Sequence, residues 1–546
     1  MSEPSPRRRQ LILAICCMSL FIVAIDNTIV NVALPSIQHD LHAPVSGLQW
    51  IIDAYTLVLA SLLMLAGSTA DRLGRRRIFQ LGLVLFTLAS ALCSAAPSLG
   101  WLVAFRALQA VGGSMLNPVA MSIISNTFTD AKERARAIGV WGGVVGLSMA
   151  AGPVLGGLLV QAVGWRSVFW VNIPVGVAAL VLTALFVPES RARRGRRPDP
   201  IGQVLVIAVL AAVTYAIIEG PGRGWTSPLI LGLFAFTAAG LAALVRYESR
   251  REEPLIELRF FRSIPFSGAT VIAVCAFIAL AGFLFINTLY LQDVRGFSAM
   301  KAGLMTLPMA AITAVFAPLS GRLVAERGAR GPLLASGIFI GVTGLLFLSA
   351  TNTTSLIYLG FVYALFGFGF GVVNAPITNT AVSGMPRAQS GVAAAVASTS
   401  RQVGQSLGVA LIGTVAVARV HGSMREGFSA ASHAGWAIVA GCGLVVAVLA
   451  VLTTTARAKA SAERAAALFP ASERETSATG TATPADAAPA ADQRADSVPR
   501  GNSRTSGTEN EPVTAEPDTE PEPEPAAFRT VTTRTGALAP PDTETR

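Results

Sequence analysis

Fourteen apolar stretches, at about residues 11–34, 48–67, 78–96, 101–127, 137–162, 167–187, 201–219, 228–245, 265–291, 302–323, 332–350, 355–381, 391–418 and 434–454, run along most of the chain. Each is close to the ~20 residues a helix needs to cross a bilayer. Inside hydrocarbon every backbone N–H and C=O must be satisfied within the protein, so such stretches fold as helices. The expected class is therefore an all-α membrane protein. With 52% hydrophobic and only 14% charged residues, the chain cannot be an ordinary soluble domain.

The placement of charge agrees with the count. Lys and Arg stay in short loops on the inner side of a membrane. Alternate gaps hold Arg72, Arg75, Arg76 and Arg77, then Lys132, Arg134 and Arg136, then Arg191, Arg193 and Arg194, while the intervening gaps are nearly free of bases. This puts the loops at those gaps, both termini and the arm at 1–10 in the cytoplasm, with the chain in the cell membrane. The net charge of +10 is thus spent on topology, and no nucleic acid is implied. The five cysteines fall inside apolar stretches without a CxxC pair, so neither a disulfide framework nor a metal site is expected. All four histidines fall near outer loops.

The gap after the second stretch reads Gly67-Ser68-Thr69-Ala70-Asp71-Arg72-Leu73-Gly74-Arg75-Arg76-Arg77. Its glycines permit a sharp reversal, and Asp71 can pair with a guanidinium. The spacing Gly-x-x-x-Asp-Arg-x-Gly-Arg-Arg resembles the signature loop of the major facilitator superfamily at every position: Gly67, Asp71, Arg72, Gly74, Arg75 and Arg76. A thinner echo stands at Gly321–Arg330, as expected of two related halves. The resemblance implies a major facilitator fold. Its six-helix bundles would be 11–187 and 265–456, with two extra helices in 188–264 and a disordered cytoplasmic tail at 457–546. It also implies a monomer.

Two further segments carry the resemblance. Arg106-Ala-Leu-Gln109-Ala110-Val-Gly112 is similar to the superfamily's fourth-helix motif, whose arginine is associated with proton coupling. Gly139, Ser148, Gly152, Pro153, Gly156 and Gly157 resemble the antiporter motif of exporters, with Ser148 in place of one glycine. Together with Asp26–Pro35 and Trp165–Gly176, these point to the fourteen-helix drug:proton antiporter branch.

A carboxylate within a membrane helix is expensive unless it meets a cavity or a partner. Asp26 lies roughly 12 Å, and Arg106 and Asp53 about 8 Å, from the outer ends of their helices. Two readings of these residues stand open: a site that takes up and releases protons, or a static ion pair holding helices together. The candidate substrate cavity comprises Asn31, Gln109, Asn287, Tyr290, Asn374, Asn379 and Arg401, although helix packing accounts for such residues equally well. Arg401 reads either as an anchor to carbonyls or as a substrate contact.

The function implied is proton-driven export of hydrophobic or cationic drugs by alternating access, with the proton gradient as the driving force and no cofactor. The alternatives are a dedicated exporter of a natural product, siderophore or amino-acid metabolite, and a proton symporter. No phosphate-binding Gly-x4-Gly-Lys-Ser/Thr loop, HExxH or Ser/His/Asp cluster suggests an enzyme.

Overall fold

Helices begin where a proline or a small polar cap precedes an apolar run. Pro6 and Pro200 stand in the first turn of their helices, and the Asp130, Asp199, Ser227, Ser263 and Ser355 side chains accept a first-turn N–H. In the computed structural model, which describes residues 5–191, 199–251, 254–418, 420 and 424–469, the first bundle comprises seven helices. These are α1 (Pro6–Leu41), α2 (Val45–Leu73), α3 (Arg75–Ser94), α4 (Leu99–Thr127), α5 (Ala131–Ala162), α6 (Ser167–Trp170) and α7 (Asn172–Phe186). An inserted pair follows, α8 (Pro200–Arg223) and α9 (Pro228–Glu248). The second bundle comprises α10 (Ile264–Leu289), α11 (Ala299–Met305), α12 (Leu307–Arg327), α13 (Arg330–Phe347), α14 (Leu356–Gly371), α15 (Asn374–Val382), α16 (Arg387–Val417) and α17 (Met424–Leu452), with α18 (Ala456–Ala466) after it. No strand occurs among the described residues.

The two bundles repeat one plan. Helix α1 packs on α5, α2 on α4, and α3 on α4 and α7; in the same way α10 packs on α16, α12 on α14, and α13 on α14 and α17. Among the described residues, thirteen helical segments are long and apolar enough to span a membrane. The expected fourteenth, α16, is a 31-residue helix, but its middle reads Ser398-Thr-Ser-Arg-Gln-Val-Gly-Gln-Ser406 and is too polar to qualify on composition.

The tail expected to be disordered from 457 needs correction at its start. Residues 456–466 form α18, whose Ala458, Ser461, Ala462 and Ala465 make a buried small-residue face. The Ser461 hydroxyl accepts the Ile264 N–H at 2.9 Å, and Phe469 packs on Phe260 with ring centroids 5.6 Å apart. An alanine-rich composition reads as disorder only if nothing covers the alanines. The remainder of that tail, 470–546, and the basic run at 192–198 lie outside the described residues.

The end of the molecule carrying the Gly67–Arg77 turn is termed the turn end; the opposite end is the far end. The bundles meet through their far-end halves. Gln49 of α2 donates from Nε2 to the carbonyls of Val409 (3.0 Å) and Ala410 (3.2 Å) of α16, and Gln292 donates to the Val32 carbonyl of α1 at 2.9 Å. One apolar cluster runs through this region from Ile25–Ile37 of α1 to Phe283, Phe285 and Ile412, whereas the turn-end half of the first bundle has its own core around Phe79 and Phe86. Helix α8 lies along the seam. It is tied to α2 by Gln203 on the Ser61 carbonyl and by Trp50 Nε1 on Glu219 (3.0 Å), and to α16 by Thr414 on the Ile217 carbonyl (3.2 Å).

Candidate functional site

Asp26 and Arg106, on α1 and α4, come together in the interior of the first bundle with side-chain exposures of 0% and 1%. Arg106 Nη1 reaches Asp26 Oδ2 at 2.5 Å, while Asp26 Oδ1 accepts from Gln109 Nε2 and from Asn172 Nδ2 of α7, both at 2.9 Å. The guanidinium also donates to the Ile51 carbonyl (3.2 Å) and to Gln109 Oε1 (2.7 Å), and lies 4.2 Å from the centroid of the Tyr55 ring. Ser90 of α3 accepts from Gln109 at 2.9 Å. The apolar walls explain why the charges need each other: an unpaired charge here would carry the full penalty of leaving water.

The donor set fixes what the site can do. All three groups facing the carboxylate are N–H donors, so they suit the ionised form, which only accepts. Oδ1 already accepts two N–H groups, so a proton there must displace Gln109 or Asn172, and a proton on either oxygen removes the charge that pairs with Arg106.

The other expected site residues separate. Gln109, assigned to the substrate cavity, is fully buried in the ion-pair network. Asp53 does not join that network; it accepts from Thr56 Oγ1 at 3.3 Å and lies near Ser406 of α16, and its Oδ2 has no hydrogen-bond partner among the described residues. Asn31 and Asn287 line a cavity of about 20 Å³ between α1 and α10, room for about one water. Tyr290 faces the far end, where its hydroxyl donates to the Thr351 carbonyl at 2.6 Å. Arg401 donates to the Thr378 hydroxyl of α15, half-buried Asn374 starts that helix, and Asn379 is exposed. Asn172, Ser90 and Tyr55 were not predicted; amides, hydroxyls and phenols in apolar stretches are too common to signal a partner 146 residues away.

The glycines of the fifth helix divide between two neighbours. A Cβ at Gly152 or Gly156 would strike Thr28 or Ile29 of α1, and one at Gly157 would come 2.6 Å from the Ala299 carbonyl oxygen of α11. The contact is reciprocal: a Cβ at Gly303 of α11 would stand 2.1 Å from the Pro153 carbonyl oxygen. Backbone thus meets backbone across the far-end seam. Gly139 has open space around it and takes no part.

At the turn, Asp71 Oδ1 accepts from Arg75 Nε (3.0 Å) and Nη2 (2.7 Å). Glu189, which follows α7 and was not expected, accepts the Arg76 N–H at 3.1 Å, where the dipole of α3 favours an anion. Gly74 adopts φ 115°, and a Cβ there would come 2.6 Å from Glu189 Oε1. Arg72 is exposed, and a Cβ at Gly67 would make only an ordinary 3.7 Å contact with Pro118 of α4. The echo at Gly321–Arg330 holds no ion pair among the described residues. Gly74→Ala is expected to lower stability by about 2 kcal/mol through strain and the clash. Glu189→Gln, at a half-exposed site, loses about 1 kcal/mol. Thermal unfolding of the two variants checks the order, and equal losses would remove the strain argument.

Two halves on one plan, a sealed ion pair and the signature turn define a class, and the sequence matches the model of the Major Facilitator Superfamily over residues 16–409. The chain belongs to the major facilitator superfamily. Among similar members, Multidrug resistance protein Stp of Mycobacterium tuberculosis is 39% identical over 75% of this chain and 76% of its own. Tetracenomycin C resistance and export protein of Streptomyces glaucescens is 38% identical over 74% and 75%. Among solved superfamily structures, a bacterial homologue of the human lysosomal transporter Spinster, in an inward-facing and occupied conformation, aligns with TM-score 0.58 at 17% identity. It covers 86% of this chain and 99% of that one, a likeness of fold.

Proposed function

We propose that this chain is a proton-coupled exporter of hydrophobic or cationic small molecules across the cell membrane, working by alternating access. The observation that carries the reading is the sealed Asp26–Arg106 pair, whose donors suit the ionised carboxylate and whose attraction is lost when it is protonated. The printed names of its relatives, multidrug and antibiotic resistance proteins, support the cargo class.

With the basic turn end in the cytoplasm, the far-end contacts between the bundles close the outer side. A proton reaching Asp26 when the outer side opens neutralises the carboxylate and loosens Arg106. Its release inside restores the grip, so one full cycle moves a proton inward and cargo outward. Asp53, beside Ser406 on the opposite bundle, is a second group whose charge feels the seam. The Asp71–Arg75 pair and Glu189 brace the turn as an inner gate, and Gly152, Pro153, Gly156 and Gly157 let the fifth helix pivot on α1 and α11. Asn374, Asn379 and Arg401 face cargo from the second bundle. Export of one dedicated compound is the second reading, favoured by the similarity to the tetracenomycin C protein.

The test is dye accumulation in everted membrane vesicles carrying the protein. Uphill transport is expected on imposing an acid-inside gradient and should vanish within seconds of adding a protonophore. Transport that survives the protonophore would overturn proton coupling; transport of one compound among a broad panel would favour the second reading.

A further inference from the structure

A pocket lined by one carboxylate opens at the far end of the seam, apart from the Asp26 network. It has a volume of about 350 Å³, with one wall from α1 and α5 (Pro35, His39, Gln161) and the other from the segment after α10 (Gln292, Asp293, Phe297). Asp293 sits on a single π-helical turn, Tyr290–Val294, a geometry that often marks functional positions. Its Oδ2 is buried and without a hydrogen-bond partner among the described residues.

The surrounding charges do not neutralise it. Arg295 is committed to the Tyr290 hydroxyl (3.1 Å) and the Thr354 carbonyl (2.8 Å), and Lys301 lies 4.0 Å from the centroid of the Phe297 ring. Asp40 is held by Arg166 at 2.7 Å, and His39 is exposed. Neither Arg295, Lys301 nor His39 lies within 4.0 Å ion-pairing distance of Asp293.

We propose that this pocket binds a small organic cation, an ammonium or amidinium with an apolar body, through the Asp293 carboxylate, and that the bound cation holds the far end closed. An ammonium or amidinium N–H can donate to the carboxylate, whose charge no ion pair neutralises. The Pro35 and Phe297 surfaces suit the apolar body, and Gln161 and Gln292 offer amide oxygens to the remaining N–H groups. The closing effect follows from the walls: they belong to different bundles, so the pocket exists only while the far end is shut. A ligand that binds only one of two states shifts the population toward it. Binding itself stands on the pocket alone, whereas the brake on transport rests on the exporter reading.

The experiment measures benzamidinium binding to the purified full-length protein in nanodiscs by calorimetry, for wild type, Asp293→Asn and Gln161→Trp. Asp293→Asn should weaken binding at least tenfold. Gln161→Trp, which fills the pocket from an exposed position on the other bundle, should do the same with unchanged thermal stability. No binding to wild type, or wild-type affinity in either pocket variant, overturns the site. In proteoliposomes, benzamidinium on the far-end side should slow dye export several-fold in wild type and not in Asp293→Asn. Binding without slowing would remove the brake and leave the site.

Discussion

Asp26→Asn is expected to reduce uphill dye transport in everted vesicles to background while the protein still reaches the membrane. The amide cannot ionise, and its NH2 group must face either Arg106 or the pair Gln109 and Asn172, all of them donors. With the Arg106 charge left uncompensated in the interior, stability should also fall, by about 3–5 kcal/mol for a broken buried pair. Loss of transport alone would therefore not separate a proton site from a structural tie. The double variant Asp26→Leu/Arg106→Met does. Replacing both members of a buried pair by apolar residues is often neutral or stabilising, so its melting temperature should return toward wild type. Uphill transport should not return. Recovery of both would make the pair a tie and nothing more.

Gly303→Leu is the second large effect. Its side chain would enter where a Cβ alone would stand 2.1 Å from the Pro153 carbonyl oxygen, a backbone atom that cannot rotate away. Overpacking costs about 1–3 kcal/mol, here only while the far-end halves touch, because the clash is between bundles. At 1.4 kcal/mol per tenfold, this shifts the balance about 5- to 150-fold toward the far-end-open state. A cysteine placed at Asn31, in a background lacking the native cysteines, reports the shift: alkylation by a membrane-impermeant maleimide from the far-end side should rise sharply in Gly303→Leu, and export should slow. Unchanged labelling would mean that the glycine contact does not govern closure.

What could be read from the sequence divides along physical lines. Apolar length announces a membrane helix wherever it occurs, and a lone charge inside such a run is conspicuous, so Asp26 and Arg106 stood out. That the two meet depends on α1 lying beside α4, which no local pattern encodes. Gln109 was placed with the cavity because an amide carries no sign of which way it turns; the structure turns it onto the carboxylate. Asp53 shares depth with the pair but not direction, since it leans toward α16. Glu189 escaped notice because it lies 113 residues from the N–H it accepts. Helix α18 was missed for the opposite reason: its alanines gain meaning only against the Leu258–Arg262 segment and α10. The seam glycine Gly303 had no motif around it.

The sealed pair also constrains how the protein is made. Asp26 leaves the ribosome 80 residues ahead of Arg106, with two further helices synthesised between them. A single Asp or Arg at the centre of a helix costs about 2.5–3.5 kcal/mol on insertion scales. Helix α1 must therefore enter the bilayer carrying an unmatched charge, or wait beside the insertion machinery until α4 arrives. The neutral stretch of α3 can pass into lipid at once, so the order in which helices settle need not follow the order in which they are synthesised.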